Sequence, residues 1–302
     1  MPEPTRWTNN SVRGSPAKVV QRRGIPLAWW LLLPGALWLI LFFVVPFYSL
    51  VAASLYDPAG GIISGYQMTW HFSNYSHAIG QYAEPLGRSL LYGGTATALC
   101  LLVGYPLAYA IAFKAGKWRN LMLVMVIAPF FTSFLVRTLA WKLILGDQGA
   151  VVQVLQALHL LGPGGHLLAT PVAVVSGLTY NFMPFMVLPL YAALEKIDIS
   201  LVEAAQDLYD SPLRGFLKVT LPLSMPGVVA GTLLTFIPAA GDYINAQLLG
   251  NTETRMIGNV IESLFITVGD YPAAASLSMV LMLLIAGMVF LYVRKSGTEE
   301  IL

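Results

Sequence analysis

The sequence predicts an all-α integral membrane protein with six transmembrane helices, on three observations. Of its 302 residues 57% are hydrophobic and only 11% charged, with a mean hydropathy of +0.69; soluble domains carry about 25% charged residues. The charges are missing from windows long enough to cross a bilayer, which takes about 20 consecutive apolar residues. Finally, Lys and Arg crowd into every second connection.

The windows follow in order. Gly24 to Tyr56 has no Asp, Glu, Lys or Arg and predicts a first span over about 27–51. It is longer than a signal-peptide core and has no small-residue cleavage site, so it is expected to remain as an anchor. Ser89 to Phe113 predicts the second span, 89–113. Asn120 to Val136 is uncharged and continues apolar to Leu145, giving a third span over 120–145 that contains Arg137 and Lys142. Gln148 to Leu194 breaks at Leu161-Gly162-Pro163-Gly164-Gly165, leaving an interfacial helix over Val151–Leu161 and a fourth span over 172–194. Val219 to Gly241 and Tyr271 to Val293 give the fifth and sixth, 223–243 and 272–293.

Five basic residues of the N-terminal tail, then Lys114, Lys117 and Arg119, then Lys196, Arg214 and Lys218, and finally Arg294 and Lys295 lie on one side; the other side has only Arg88 and Arg255. Basic loops stay cytoplasmic. Both termini are therefore expected in the cytoplasm, with residues 1–23 and 295–302 as tails, the first of them flexible.

Several functions are excluded or disfavoured by composition. A formal net charge of +2, with scattered basic residues, makes no nucleic-acid footprint. A lone cysteine, Cys100, excludes an internal disulfide, a cysteine zinc site and a CxxC pair. His71, His77, His159 and His166 fall in external connections without metal-ligand spacing, so no metal is expected. No GxxxxGK[ST] run exists. The chain is expected to hold no cofactor and to be no enzyme.

One connection is out of proportion. Glu195 to Pro222 is far longer than a simple helix–helix link of about 2–8 residues. It also holds eight of the charged side chains. Ser200 followed by Glu203 reads as a capping box, with Leu201, Val202, Ala205 and Leu208 as an apolar stripe behind it. Ser211-Pro212 reads as a second helix start, continued by Leu213, Phe216, Leu217 and Val219 to a stop at Leu221-Pro222. Two short amphipathic helices either lie on the bilayer or fill a groove in a partner.

The run EAAQDLYDSPLRGFLKVTLPLSMPG resembles the EAA loop of ABC-importer permeases: Glu203-Ala204-Ala205 is intact and Leu221-Pro222 stands at the expected distance. Tyr209 occupies the position of the motif glycine, and Asp210 is expected to take over the turn. Ile127 to Gly149, Asn181 to Ala205 and Phe236 to Gly250 are similar to the B-type permease of spermidine/putrescine importers. The resemblance runs from about Leu27 to Arg294.

This resemblance implies a type I ABC importer permease fold in a bacterial inner membrane and a polyamine substrate. It also implies four kinds of partner: a second, C-type permease, an ABC ATPase dimer that carries ATP and Mg, an extracytoplasmic substrate-binding protein, and the small-molecule substrate. Glu203, Ala204, Ala205, Leu208, Tyr209, Asp210, Pro212, Leu213 and Phe216 are then the residues expected to couple to the ATPase.

For the translocation path the candidates are Arg137, Trp141, Tyr180, Asn181, Asp242 and Tyr243. A polycation needs carboxylates and aromatic faces. A charge inside a span costs about 2.5–3.5 kcal/mol on insertion scales and needs a partner. Arg137 is therefore expected to pair with Asp242 as part of an outer gate, with Trp141 one turn on available to stack. Pro184, Pro189, Pro226 and Pro238, with Gly227, Gly231 and Gly241, permit bends and close packing. An importer for another small solute, anionic or amino-acid-like, and a stand-alone secondary transporter are the competing readings. The second is disfavoured because the two halves show no internal repeat. An integral membrane enzyme is disfavoured by the lack of a catalytic cluster.

Overall fold

A computed structural model describes residues 25–61, 63–162, 164–209 and 211–295. The expected tails at 1–23 and 295–302 lie outside these residues, apart from Lys295, which ends the last helix. Among the described residues all regular structure is helical, apart from two isolated bridges in the loop before α3, Tyr56 with Met68 and Gly61 with Gly65.

The chain divides into two units, 1–48 and 49–302. In the first, α1 (Ile25–Leu39) passes through a π-helical turn, Ile40–Val44, into α2 (Val45–Ala53), whose last residues belong to the second unit. From Trp30 to Tyr48 its side chains are exposed and nearly all apolar, the pattern of a helix solvated by lipid rather than water.

In the second unit, α3 (Ser73–Tyr109), α7 (Pro171–Leu194), α11 (Met225–Ala240) and α14 (Tyr271–Lys295) form the bundle, with α7 against both α3 and α11 and α14 against α3. Thr170 caps α7 by accepting the Ala173 N–H at 3.3 Å, and Pro171 takes the first turn, where its missing N–H costs nothing.

Lipid offers no hydrophobic drive between helices, so close approach supplies the packing energy. Gly227 and Gly231, one turn apart on α11, provide it against α7. A Cβ at Gly227 would stand 2.5 Å from Ala193 Cβ and 2.8 Å from the Pro189 carbonyl, and one at Gly231 2.9 Å from Met186 Sδ. Gly104 of α3 does the same for Met186 and Val187. The core on this side is Cys100, Ala108 and Ile111 against Met186, Val187, Leu190 and Leu194, all sealed from solvent.

Three expected spans differ from the helices found. The second begins earlier, at Ser73, and is kinked at Tyr82 (φ −118°, ψ 22°), three residues before Pro85, which cannot complete the helical ladder. The third is broken: residues 116–131, which contain α4 (Arg119–Ile127), meet residues 134–157, which contain α5 (Phe134–Leu145) and α6 (Ala150–Ala157), at 96°. Thr132 and Ser133 are extended there (ψ 142° and 138°), directly after the turn holding Pro129.

The fifth span is bent by 67° between residues 212–223 and α11. The expected stop at Leu221-Pro222 is passed. α9 (Pro212–Gly215) runs through the π-helical segment Phe216–Thr220 into α10 (Leu221–Leu223), the widened turn ahead of Pro222 accommodating its missing N–H. The bend falls at Ser224 instead, just ahead of Pro226. Among the described residues, four helices are long and apolar enough to cross a membrane, and up to six if each bent pair makes one span.

The candidate coupling loop and the broken span

The long connection begins at Glu195, the C-cap of α7, and folds as α8 (Ile199–Tyr209) packed on α9 and the π-helical segment after it. The expected capping box at Ser200 is replaced by an earlier start. Asp198 Oδ1 accepts the Ser200 N–H at 3.0 Å, which puts Ser200 inside the first turn. That bond holds the Asp198 carboxyl below the usual carboxylate range.

The two sides of the loop are distinct. Val202 and Ala205, three residues apart on α8, are buried, whereas Leu201, Glu203 and Ala204 are exposed. Pro212, Leu213 and Leu217 are exposed as well. Ala205 and Phe216 were expected on the docking face and turn inward instead. Phe216 meets the Tyr105 ring edge-on at 5.4 Å and the Tyr109 ring at 6.1 Å, in the core against α3. Helical spacing alone would group Phe216 with Leu213; the π-helical turn that begins at Phe216 and the edges of the Tyr105 and Tyr109 rings bring it into the core instead. Tyr105 also hydrogen-bonds Ser224 Oγ at 2.6 Å, fixing the 67° bend to α3. Tyr209, in the motif's glycine position, lies under Lys218 Nζ at 4.7 Å from its ring centroid and clasps α8 to the following segment. The side chain of Leu208 and the whole of Asp210 lie outside the described residues.

In the broken span the expected ion pair is absent. Arg137 is only 8% exposed, with its guanidinium 5.2 Å and 5.5 Å from the ring centroids of Phe130 and Phe134, and its Nε and Nη1 are buried without a hydrogen-bond partner. Asp242 instead accepts the Asn245 N–H at 2.8 Å, at the start of α12 (Ile244–Leu249). Asp242 thereby satisfies an orphan backbone donor of the α12 start. The arginine finds its ring contacts at Phe130 and Phe134, while Trp141 packs on Tyr180 at 5.5 Å.

The other path candidates separate by burial. Asn181 is 1% exposed; its Nδ2 donates to Thr138 Oγ1 at 3.1 Å and to Asn245 Oδ1 at 3.0 Å, tying α7 to α5 and α12. Tyr180 is partly exposed and borders a cavity of about 330 Å³ with Met122, Met125, Pro129 and Met183. Tyr243 is 41% exposed, and its carbonyl accepts Asn259 Nδ2 at 2.7 Å. Lys142 is exposed in the last turn of α5. His166 meets Asp147 at 2.7 Å, both side chains being exposed.

Sequence reasoning missed Asn245 and Thr138, whose signal is a polar residue inside an apolar run. It also missed Arg119 and Tyr191, described below.

The described residues thus form a helical bundle with two sharply bent helix pairs and a partly exposed helical loop after α7. A crystal structure of a bacterial ABC transporter involved in the import of the acidic polysaccharide alginate shares the fold, with a TM-score of 0.67 at 19% identity over 91% of this chain and 96% of that one. The chain belongs to the family described as binding-protein-dependent transport system inner membrane component, whose model matches residues 101–295. Among its relatives, the spermidine/putrescine transport system permease protein PotB of Haemophilus influenzae is 38% identical over 85% of this chain and 90% of that protein. PotB of Escherichia coli is 36% identical over 86% and 94%. The inner membrane ABC transporter permease protein YdcU of Escherichia coli is 33% identical over 71% and 72%. The chain is thus a transport subunit of the inner membrane.

Proposed function

We propose that this chain is the B-type permease of an ATP-binding-cassette importer for polyamines of the spermidine/putrescine kind. The observation that carries the substrate class is 36–38% identity along nearly the whole length of relatives named for that transport. The exposed Glu203 and Ala204, flanked by exposed Leu201, Leu213 and Leu217, support a docking face for an ATPase subunit. ATP and Mg are held on that partner. A second, C-type permease completes the translocation path, and an extracytoplasmic binding protein delivers the substrate. Both termini lie in the cytoplasm, and each bent helix pair counts as one of six crossings.

In this reading Glu203 offers its carboxylate to a basic partner while Leu213 and Leu217 fill an apolar groove. The helices then carry ATP-driven closure into the bundle through Phe216 and Ser224. Uptake of labelled putrescine and spermidine by a strain lacking the chain, with and without complementation, tests the substrate class. Competition only by anionic or amino-acid solutes overturns it. Substituting Glu203→Gln is expected to abolish stimulated ATP hydrolysis and uptake with the complex still assembled; unchanged uptake and hydrolysis remove its coupling role.

A further inference from the structure

We infer that Arg119, Tyr191 and Glu195 form a clamp that carries displacement of the coupling loop to the inner arm of the broken third span; this rests on the transport reading above. Arg119 is the first residue of α4. Its Nε donates to the Tyr191 hydroxyl, a terminal guanidinium nitrogen pairs with the Glu195 carboxylate, and its guanidinium carbon stands 5.0 Å from the Tyr191 ring centroid. Tyr191 lies in the last turn of α7, and Glu195 is the residue through which α7 passes into the coupling loop. Only a planar guanidinium satisfies a hydroxyl, a carboxylate and a ring face at once.

The two arms of the third span are held separately. α5 is fixed to α7 and α12 by the Thr138–Asn181–Asn245 hydrogen bonds, whereas α4 is divided from it by the 96° break. Along α4 the cavity beside Met122, Met125 and Val126 leaves its flank toward Tyr180 and Met183 loosely filled. The clamp is the polar tie at the N-terminal end of α4, where the short link 115–118 joins it to the helix that continues α3, and a rotation of the loop that moves Glu195 draws α4 with it. A partly exposed ion pair adds little to stability. Its loss is read in coupling rather than in folding, which makes these positioning residues.

The test uses the whole importer in nanodiscs, with parent chain, Arg119→Gln, Glu195→Gln, the double variant and the exchanged pair Arg119→Glu/Glu195→Arg. ATP hydrolysed per polyamine moved is expected to rise on the order of fivefold in each single variant, the low end of measured couplings between sites. The double variant should be no worse than either single, the exchange should recover most of the ratio, and the thermal midpoint should not change. An unchanged ratio, additive losses, or losses that follow the midpoint overturn the clamp.

A second measurement does not depend on the substrate. Spin labels at exposed positions on the two arms, Leu121→Cys and Leu143→Cys with buried Cys100 left in place, are expected to change separation on ATP binding in the parent and not in Arg119→Gln. No change in the parent, or equal change in both, overturns the clamp. A parent complex that hydrolyses ATP but ignores polyamines overturns the substrate reading alone.

Discussion

Single side chains here are placed by which donor or acceptor lies nearest, and two of them show the rule. Asp242 makes no ion pair with Arg137 and caps α12 through the Asn245 N–H three residues on. Arg137 is left with two Phe rings and two buried nitrogens without partners. Asn181 sits at the centre of the polar contacts of α5, α7 and α12, and Asn181→Leu removes both bonds, stranding the buried Asn245 Oδ1 while the Thr138 hydroxyl keeps its bond to the Phe134 carbonyl. Unpaired buried groups cost about 1–3 kcal/mol each, so the detergent-solubilised complex is expected to lose several degrees of thermal midpoint; an unchanged midpoint contradicts that placement. Asp198 gives a pH expectation. Its folded pKa is depressed by the Ser200 N–H, so its contribution to α8 is complete above the unfolded value of about 4 and is lost as pH falls through the lower, folded one. Hydrogen-exchange protection of the Ser200 amide should fall at acid pH in the parent and not in Asp198→Asn, where the amide side chain still caps.

At the scale of elements, the breaks are set by residues that withdraw from the helical ladder, and the close packing by residues without side chains. Ser224, ahead of Pro226, turns the chain by 67°, and Tyr105 holds that turn through a 2.6 Å hydrogen bond. Removing this hydroxyl, Tyr105→Phe, is expected to cost about 0.5–1.5 kcal/mol and to loosen the bend without unfolding α3; a hydrogen-exchange comparison across 216–226 measures it. Gly227 is less forgiving. A valine there meets the α7 backbone and Ala193 from 2.5 Å outward, so Gly227→Val should separate α7 from α11 and deplete assembled complex in the membrane, whereas the same change at open Gly94 should not. The sequence made these breakers visible, but not which of them bend a helix and which are absorbed. Pro184 and Pro189 lie inside an uninterrupted α7, while Thr132 and Ser133, without a proline between them, make the sharpest break. Partners on neighbouring helices decide such outcomes, and these are not adjacent in sequence.

Over the whole molecule, the family assignment and the proposed topology make one more expectation. Single cysteines at Ala204→Cys and Glu253→Cys, both exposed positions, are expected to react with impermeant thiol reagents from opposite sides of the membrane, Ala204→Cys from the cytoplasm; native Cys100, sealed in the core, stays silent. Reaction of both from one face removes the proposed crossings. The sequence by itself determined the class of protein, because a bilayer acts locally along the chain: it excludes charge from every apolar window and leaves it in the connections. It also marked out the long helical connection proposed as the coupling loop, because Glu203-Ala204-Ala205 and Leu221-Pro222 are local signals. Tertiary structure alone decided that Ala205 and Phe216 turn inward, that the third span is two arms, that Arg137 lacks the carboxylate expected for it, and that Arg119 reaches Glu195 across 76 residues of chain. Charge-free windows and capping patterns depend on residues a few positions apart. Which charges and rings meet depends on helix approach, fixed by glycine contacts and backbone breaks far apart in the sequence.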